Sequence, residues 1–346
     1  MRIKHFMAAL VFAAIFFTTA CREDAPVELS RFSTQRLGYF DTLISFIGYA
    51  PSEEDFAMYA DVFFTTLGEV HTLFDTFNYH PGNLYDVNTR AATAPVAVAP
   101  EIISLLQNGL QAYEITGGAV NIAMGRVLGI WHSHRLAGHT APSLEALQEA
   151  AQHMDINNLV IDPDGGTVFF ADPYMTLDVG AIGKMYAVEI AFNAVIDAGI
   201  PAAIVNAGGD VIAHGTPQAR PTWNVAIQDP NSATGMIDVA SFTNNSLAAS
   251  GGYERFFVIN GEHFGHIIDP ATLMPANKFE QIAVLHPSPW LGDVLATALY
   301  ILPVDVGFEM ALANNAEALW IDVDGNWFAT EGYINISREL GDGSAS

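Results

Sequence analysis

Apolar residues recur with helical spacing along several stretches of the chain, and these stretches predict its helices. Ser52 and Asp55 fit a helix start, and the apolar positions that follow keep to one face for about six turns. Pro100 begins a second amphipathic helix, and Pro142 precedes a third. The last clear helix follows Pro289. Each of these helices has an apolar face that must be buried against a common core.

Short alternating or apolar runs between turn residues predict the strands. The first alternating run covers residues 39–47. Later runs are separated by Asp-Gly, Asn-Gly and Asn-Asn turns, which are typical of antiparallel hairpins. These runs cover residues 159–161, 167–171, 175–178, 223–228, 236–242, 246–250, 255–260 and 262–268. Because no repeat or linker interrupts residues 40–340, the pattern predicts one α+β domain of antiparallel sheets packed with helices.

One stretch combines a predicted strand, a glycine turn and a helix. The strand ends at Asp178, and Gly180 and Gly183 then open a helix whose first turn contains Lys184. The N–H groups and the positive dipole end of such a helix favour an anion, above all a phosphate, and a lysine adds charge for it. The alternative is that the two glycines only allow close helix packing.

Composition limits the partners of this fold. Of 346 residues, 51% are hydrophobic and 15% are charged, which is typical of a folded core and excludes disorder. The net charge of −25, from 38 acidic and 13 basic residues, repels the phosphate backbone of nucleic acids. A phosphate ligand in so acidic a protein therefore requires a metal ion to offset the negative charge.

The amino terminus has the pattern of an export signal. Basic residues precede an apolar run at residues 6–17 that is too short to span a membrane. Cys21, the one cysteine of the chain, follows in a context that resembles the lipobox of bacterial lipoproteins. We therefore expect a signal segment at 1–21, a tether at 22–35, a domain at 36–340, and an exported lipoprotein facing the periplasm or cell exterior. The alternative is an ordinary cleaved signal with an incidental free thiol.

A candidate cation site lies in the last clear helix. Asp293 and Thr297 are four residues apart among apolar neighbours, so their oxygens lie on the same face. This donor pair suits Mg²⁺ completed by phosphate, carbonyl and water oxygens. The alternatives are an exposed pair, or a threonine bonded back to its own helix. His132 and His134 have no third ligand nearby, and we interpret them as surface or core histidines.

Five motifs together resemble those of one family, the FAD:protein FMN transferases or ApbE family. They follow in the family's order over about residues 36–325, and are Asp178–Lys184, Asn206–Asp210, Ser250–Arg255, His266–Pro270 and Asp293–Thr297. The resemblance implies a single ApbE-like domain with a T-fold-like arrangement of antiparallel sheets and packed helices. It also implies Mg²⁺-dependent transfer of the FMN part of FAD to a threonine or serine hydroxyl of a partner flavoprotein, with release of AMP.

The resemblance also implies roles for individual residues. The metal ligands are the side chains of Asp293 and Thr297 and the backbone carbonyl of Ala181, and His266 is the base that takes the proton of the acceptor hydroxyl. The alternative for His266 is a hydrogen-bonded core histidine. The implied FAD contacts are Phe40, Phe77, Ala119, Val120, Asn121, Asp178, Lys184, Ile267 and Ala296.

The sequence departs from the family pattern at three places. Phe40 begins a Phe-Asp-Thr run where many members have Met-Gly-Thr, Asn121 stands where many have aspartate, and Leu273 replaces a glycine. The first two departures concern FAD recognition, and the third concerns a turn. Two other functions stay open at this stage, a Mg²⁺-dependent FAD pyrophosphatase and a non-catalytic exported FAD-binding lipoprotein.

Overall fold

A computed structural model describes residues 28–341 except 139, 230, 231, 233, 253–255 and 260. The predicted signal segment with Cys21, the first part of the tether, and residues 253–255 of one motif lie outside the described residues. Within the described ranges, no helix is long and apolar enough to cross a membrane.

The described residues form fifteen strands and nine α-helices. In chain order the strands are β1 (Ser30–Tyr39), β2 (Thr42–Ala50), β3 (Val96–Ala97), β4 (Leu159–Asp162), β5 (Thr167–Phe170), β6 (Ala202–Ala207), β7 (Asp210–His214), β8 (Trp223–Gln228), β9 (Met236–Phe242), β10 (Asn245–Gly251), β11 (Phe256–Ile259), β12 (Glu262–Gly265), β13 (Phe279–His286), β14 (Glu317–Asp322) and β15 (Trp327–Ala329). The helices are α1 (Glu53–Phe74), α2 (Leu84–Arg90), α3 (Pro100–Ile115), α4 (Gly125–Ala137), α5 (Leu144–Ala151), α6 (Gly183–Asp197), α7 (Pro289–Ile301), α8 (Val304–Ala313) and α9 (Glu331–Ile336).

A sheet of eight strands forms the centre of the fold, in the order β1-β2-β6-β7-β10-β13-β14-β15. Every neighbouring pair in it is antiparallel. A sheet of three strands has the order β3-β5-β4, and two smaller sheets pair β8 with β9 and β11 with β12. Since α1, α6 and α7 pack on one another and on the central sheet, the arrangement confirms the predicted α+β fold with antiparallel sheets.

The first predicted helix forms as α1. Ser52 caps it, its side chain accepting the N–H of Asp55 at 3.1 Å, and acidic residues occupy the first turn. Phe63 and Leu67 are fully buried on its apolar face. Burial of each such side chain contributes about 1.5–3 kcal/mol, so this face holds α1 on the sheet.

The glycine-opened helix forms as α6, which begins at Gly183 as predicted. Its buried face includes Ala187, Ala191 and Val195. The helix ends at Asp197, and Gly199 then takes a φ of +92°, a conformation that favours glycine. This helix contacts α1 and α7, and also β6 and β7 of the central sheet.

The predicted strand at 175–178 was wrong. Thr176 makes an isolated parallel bridge to Met124, and no ladder develops among the described residues. The side chain of Asn88 accounts for this, because it accepts the N–H of Leu177 at 2.8 Å and donates to its carbonyl at 2.9 Å. An amide side chain thus satisfies the backbone groups that a neighbouring strand would otherwise bind.

The tether boundary also changes. Strand β1 begins at Ser30, so residues 30–35 belong to the central sheet and not to a tether. Phe32 packs against Phe56 of α1, with ring centroids 5.6 Å apart, and this contact fixes the first part of the strand to the domain.

Four helices, α2, α4, α8 and α9, were not predicted. In α4 the buried positions are few, namely Gly125, Val127 and Trp131, so its sequence lacks an extended apolar face.

Asp238 of β9 attaches the carboxyl-terminal segment to the domain. Its carboxylate accepts the N–H groups of Arg338 and Glu339 at 3.1 and 3.2 Å and the hydroxyl of Tyr333 at 3.3 Å. Asp238 is 1% exposed and Tyr333 is fully buried. Burial, with the neighbouring Asp238 charge, raises the pKa of the Tyr333 hydroxyl far above its usual value. The buried carboxylate is thus the acceptor for three donors from the carboxyl-terminal segment.

We expect Asp238→Ala to lower the free energy of unfolding by about 3 kcal/mol, because buried donors lose a charged acceptor. Urea unfolding of the purified domain measures the change. Asp324→Ala is the matched control, since Asp324 is exposed in the turn before β15, and it should stay within about 0.5 kcal/mol of the parent. Equal stability of the two variants would contradict the anchoring role.

Candidate active site

A cavity of about 990 Å³ opens beside the start of α6. Its walls come from the β1–β2 turn, the loop after α1, α4, β10, the end of β12 and α7. This size suits a dinucleotide-sized ligand. The predicted site residues that line it are Phe40, Phe77, Asp178, Ala181, Lys184, His266, Ile267, Asp293 and Thr297.

Four predicted FAD contacts are absent from the described lining: Ala119, Val120, Asn121 and Ala296. Val120 and Ala296 are buried in the core. The amide of Asn121 donates to the carbonyl of Met154 at 2.9 Å, and its oxygen accepts the N–H of Ala123 at 2.9 Å. The structure does not bring these four side chains to the cavity, and their role as FAD contacts stays a prediction.

The amino terminus of α6 faces the cavity. Asp178 accepts the N–H of Gly180 at 2.8 Å, which shapes the turn before the helix. Ile182 occupies the N-cap position, and no side chain caps the helix there. The N–H of Gly183 donates to the carbonyl of Val179 at 2.7 Å. Gly183 and Lys184 line the cavity, so the positive end of the helix dipole lies at its wall, where it favours phosphate oxygens.

Lys184 forms an ion pair that local sequence patterns do not predict. Its ammonium donates to the carboxylate of Asp210 and to the carbonyl of Ala207 at 3.3 Å. Asp210 is 4% exposed, and its other oxygen accepts the N–H of Ala249 at 2.8 Å. The lysine charge is therefore shared with a buried carboxylate and is not reserved for an anion. The spacing of 26 residues between the partners gave no local signal.

His132 also lines the cavity, a position that was not predicted. Its Nδ1 accepts a hydrogen bond from Arg135 at 2.8 Å, because an arginine can only donate. The ring of Phe77 lies 5.7 Å from the ring of His132. His134, by contrast, bonds the carbonyl of Thr140 at 2.8 Å and has a structural role.

Asp178 is partly open to the cavity, yet the surrounding protein removes much of its hydration. This desolvation raises the pKa of its carboxyl, while the Gly180 N–H and the nearby His132 and Arg135 oppose the rise. Helix α4 thus supplies positive charge to a cavity in a strongly acidic protein. This grouping was not predicted, because α4 was not predicted. The (i, i+3) spacing places His132 and Arg135 side by side only when the segment is helical.

The β1–β2 turn presents Phe40 to the cavity. Phe40 and Asp41 both have positive φ, +50° and +53°, a costly backbone conformation for residues other than glycine. The ring of Phe40 lies edge-on to that of His71, at a centroid distance of 4.8 Å. His71, from the last turn of α1, also lines the cavity and was not predicted.

Asp293 and Thr297 lie on one face of α7 and line the cavity together with Ala181. Asp293 is 7% exposed, in a helix whose neighbouring side chains are buried. The described part of the chain contains no group of three or more His, Cys, Asp or Glu residues that could hold a metal. A cation here would take oxygens from one carboxylate, one hydroxyl and one carbonyl, and the rest from ligand and water. This all-oxygen set fits Mg²⁺ bound jointly with a phosphate.

His266 directly follows β12, is partly buried and lines the cavity. The turn after it is held by the N–H of Leu273, which donates to the carbonyl of Asp269 at 2.7 Å. Leu273 keeps the left-handed φ of +62° that a glycine would adopt, and its carbonyl accepts Trp131 Nε1–H at 2.8 Å. The departure from glycine at Leu273 therefore leaves the turn intact, at a cost of about 1 kcal/mol in strain.

Glu189 of α6 reaches the first turn of α7, where its carboxylate accepts the N–H of Trp290 at 3.2 Å. Burial raises the pKa of this carboxyl from its usual 4.5 to about 7, and the Trp290 hydrogen bond opposes the rise. Burial, Glu189 and Glu101 of α3 also raise the pKa of the nearby Tyr186 hydroxyl.

We expect Glu189→Gln to reduce the loss of stability between acidic and weakly basic pH. The folded protein holds the Glu189 proton more tightly than the unfolded chain does. The contribution of this group to the free energy of unfolding is therefore fully present below pH 4.5, and it is lost as the pH rises through about 7. The loss is about 3 kcal/mol and should be missing from the glutamine variant. Urea unfolding of both proteins at about pH 4.5 and about pH 8 tests this. Parallel pH dependences would contradict the assignment.

Comparisons with known proteins show the family of the chain. A sequence profile of the ApbE family matches residues 40–320. The FAD:protein FMN transferase of Treponema pallidum is 31% identical over 313 residues, 84% of each chain. The crystal structure of the ApbE protein of Thermotoga maritima superposes with a TM-score of 0.81 at 22% identity, covering 89% of this chain and 99% of that one. The flavin transferase ApbE of Vibrio cholerae superposes with a TM-score of 0.77 at 22% identity, covering 89% of this chain and 100% of its own. The chain therefore belongs to the ApbE family.

Proposed function

We propose that the protein transfers the FMN part of FAD to a threonine or serine hydroxyl of a partner flavoprotein, releasing AMP, and that the reaction depends on Mg²⁺. Its relatives carry the name FAD:protein FMN transferase. One observation supports the proposal above all: a single cavity is lined by all of the groups that the reaction needs. These groups are the start of α6, which no side chain caps, together with Ala181, Asp293, Thr297 and His266.

The reaction breaks the phosphoanhydride bond of FAD and forms a phosphoester bond to the acceptor. The acceptor hydroxyl oxygen bonds to the phosphorus of the FMN phosphate, and the bond from that phosphorus to the oxygen bridging it to AMP breaks. AMP leaves with that oxygen, and His266 takes the proton of the hydroxyl. When bound by Asp293, Thr297 and the Ala181 carbonyl, Mg²⁺ supplies neutralisation of the pyrophosphate charge.

The remaining residues bind and orient. The first-turn N–H groups of α6 bind phosphate oxygens, and the Lys184–Asp210 pair holds α6 against β7 and β10. Phe40 and Phe77 offer aromatic surfaces at the cavity wall for the flavin or adenine ring. Positioning of this kind contributes strongly to phosphoryl transfer, because the transition state needs in-line placement more than covalent help.

Export and membrane attachment through lipidated Cys21 belong to the same proposal. The pattern of basic, apolar and small residues before Cys21 supports it. Mass spectrometry of the amino-terminal peptide tests lipidation. A membrane fraction that holds the parent protein, but releases Cys21→Ser, would agree. Equal release of both would oppose it.

The first experiment incubates the chain from Arg22 with FAD, Mg²⁺ and a flavoprotein acceptor, followed by intact mass of the acceptor and chromatography of the nucleotides. One added FMN per acceptor with matching AMP supports the proposal. FMN and AMP with an unmodified acceptor would indicate a pyrophosphatase instead. FAD that stays bound and uncleaved would leave only a binding protein.

A further inference from the structure

The first turn of α7 depends on another helix for capping. Ser288 occupies its N-cap position, but its side chain makes no capping bond and is buried without a hydrogen-bond partner among the described residues. Pro289, the first helical residue, has no N–H to donate. The N–H of Trp290 therefore takes its acceptor from outside, and Glu189 of α6 supplies it at 3.2 Å.

This bond joins the two helices that carry the proposed metal ligands. Ala181 lies two residues before the start of α6, and Asp293 and Thr297 lie on α7. Trp290 precedes Asp293 by three residues, which is about one helical turn. A shift of α7 along α6 would therefore move Asp293 relative to the carbonyl of Ala181.

Helix α7 packs on β10 and β13 of the central sheet and on α6. These contacts hold the helix on the sheet. The bond from Trp290 to Glu189 adds a direct link from the first turn of α7 to α6. This link lies close in sequence to Asp293, so we take it as the contact that keeps this end of α7 in place against α6.

We propose that Glu189 is a positioning residue for the metal site, and that it acts by accepting the Trp290 N–H and so holding Asp293 and Thr297 in register with the Ala181 carbonyl. The inference rests on the proposed function, because it takes these oxygens as Mg²⁺ ligands. A hydrogen-bond acceptor, not a negative charge, is what the contact requires. Glutamine should therefore replace glutamate, whereas a side chain without an acceptor should not.

Glu189→Met and Glu189→Gln form a matched pair, since both side chains have the length of glutamate and only glutamine retains a strong oxygen acceptor. Asp197→Asn is the control for loss of an acidic charge on α6, at an exposed position. Methionine also relieves the burial of a carboxyl, so we expect the Met variant to keep its melting temperature. A loss of metal affinity without a loss of stability would distinguish positioning from simple stabilisation.

Two measurements are made on the whole chain from Arg22. Hydrogen exchange by mass spectrometry follows the peptide that contains Trp290, and electron paramagnetic resonance follows Mn²⁺ binding with a fixed concentration of ADP, a pyrophosphate without FMN. We expect Glu189→Met to exchange about tenfold faster at this peptide and to bind Mn²⁺ about tenfold more weakly. Glu189→Gln and Asp197→Asn should stay within about threefold of the parent in both.

The Mn²⁺ affinities of the two Glu189 variants test the positioning role. Parent-like Mn²⁺ affinity in Glu189→Met would overturn the positioning role, even if exchange is faster, because the residue would then only cap the helix. Equal impairment of Glu189→Gln and Glu189→Met would also overturn it. If the parent protein itself binds no Mn²⁺, the metal assignment of the proposed function fails, and this inference fails with it.

Discussion

Asp293→Ala should lower FMN transfer by about a thousandfold or more while the domain stays folded. The aspartate is the one carboxylate among the proposed metal ligands, so its removal leaves a hydroxyl and a carbonyl that cannot hold Mg²⁺ against water. The loss corresponds to about 4 kcal/mol of transition-state stabilisation. Single-turnover release of AMP at saturating FAD and Mg²⁺ measures it, with circular dichroism to confirm the fold.

The control for this variant is Asp305→Ala, which removes an exposed aspartate from the neighbouring helix α8. It should transfer FMN at the parent rate. A complementary test removes the metal with excess EDTA, which should abolish FMN transfer by the parent enzyme. Parent-like turnover of Asp293→Ala in EDTA would rule out the metal role.

His266→Ala should slow transfer by about a hundredfold to ten-thousandfold, with FAD affinity within about threefold of the parent. The imidazole lies at the cavity wall immediately after β12, where it can accept the proton of an incoming hydroxyl. Because the FAD surface comes largely from other elements, removal of one ring should affect chemistry more than binding. Flavin fluorescence measures affinity, and single-turnover AMP release measures the chemical step.

His263→Ala is the matched control, because His263 lies on β12, the strand that His266 directly follows, stacks on Phe256 at 5.0 Å and is absent from the described cavity lining. It should leave both quantities unchanged. If His266→Ala instead lost FAD binding and kept its rate with bound FAD, the histidine would be a binding residue and the base would lie elsewhere.

Much of the fold was predictable from local pattern. A capping serine and an apolar face predict helix α1. Two glycines, followed by apolar positions at helical spacing, predict α6. These signals act between residues a few positions apart, so they can be read without the fold. Helix α4 has too few buried positions to show such a pattern. Residues 175–178 have the pattern of a strand, but the side chain of Asn88, and not a neighbouring strand, binds the backbone groups of Leu177.

The candidate site divides in the same way. Asp293 and Thr297 share a helix face by spacing alone, and family motifs in order pointed to Asp178, Lys184 and His266. The placement of Ala119 to Asn121 and of Ala296 away from the cavity lining was not visible, since a motif match carries no information about which way a side chain packs.

Local sequence patterns specify the class of the fold, the long helices, and the family chemistry carried by residues close together in the chain. The packing of the folded chain alone specifies that Lys184 pairs with Asp210, that His132 and Arg135 lie near Asp178, and that Glu189 caps α7. Each of these contacts joins elements far apart in sequence. Their partners are set by how helices pack on the central sheet, and the burial created there raises the pKa of the Glu189 carboxyl to about 7.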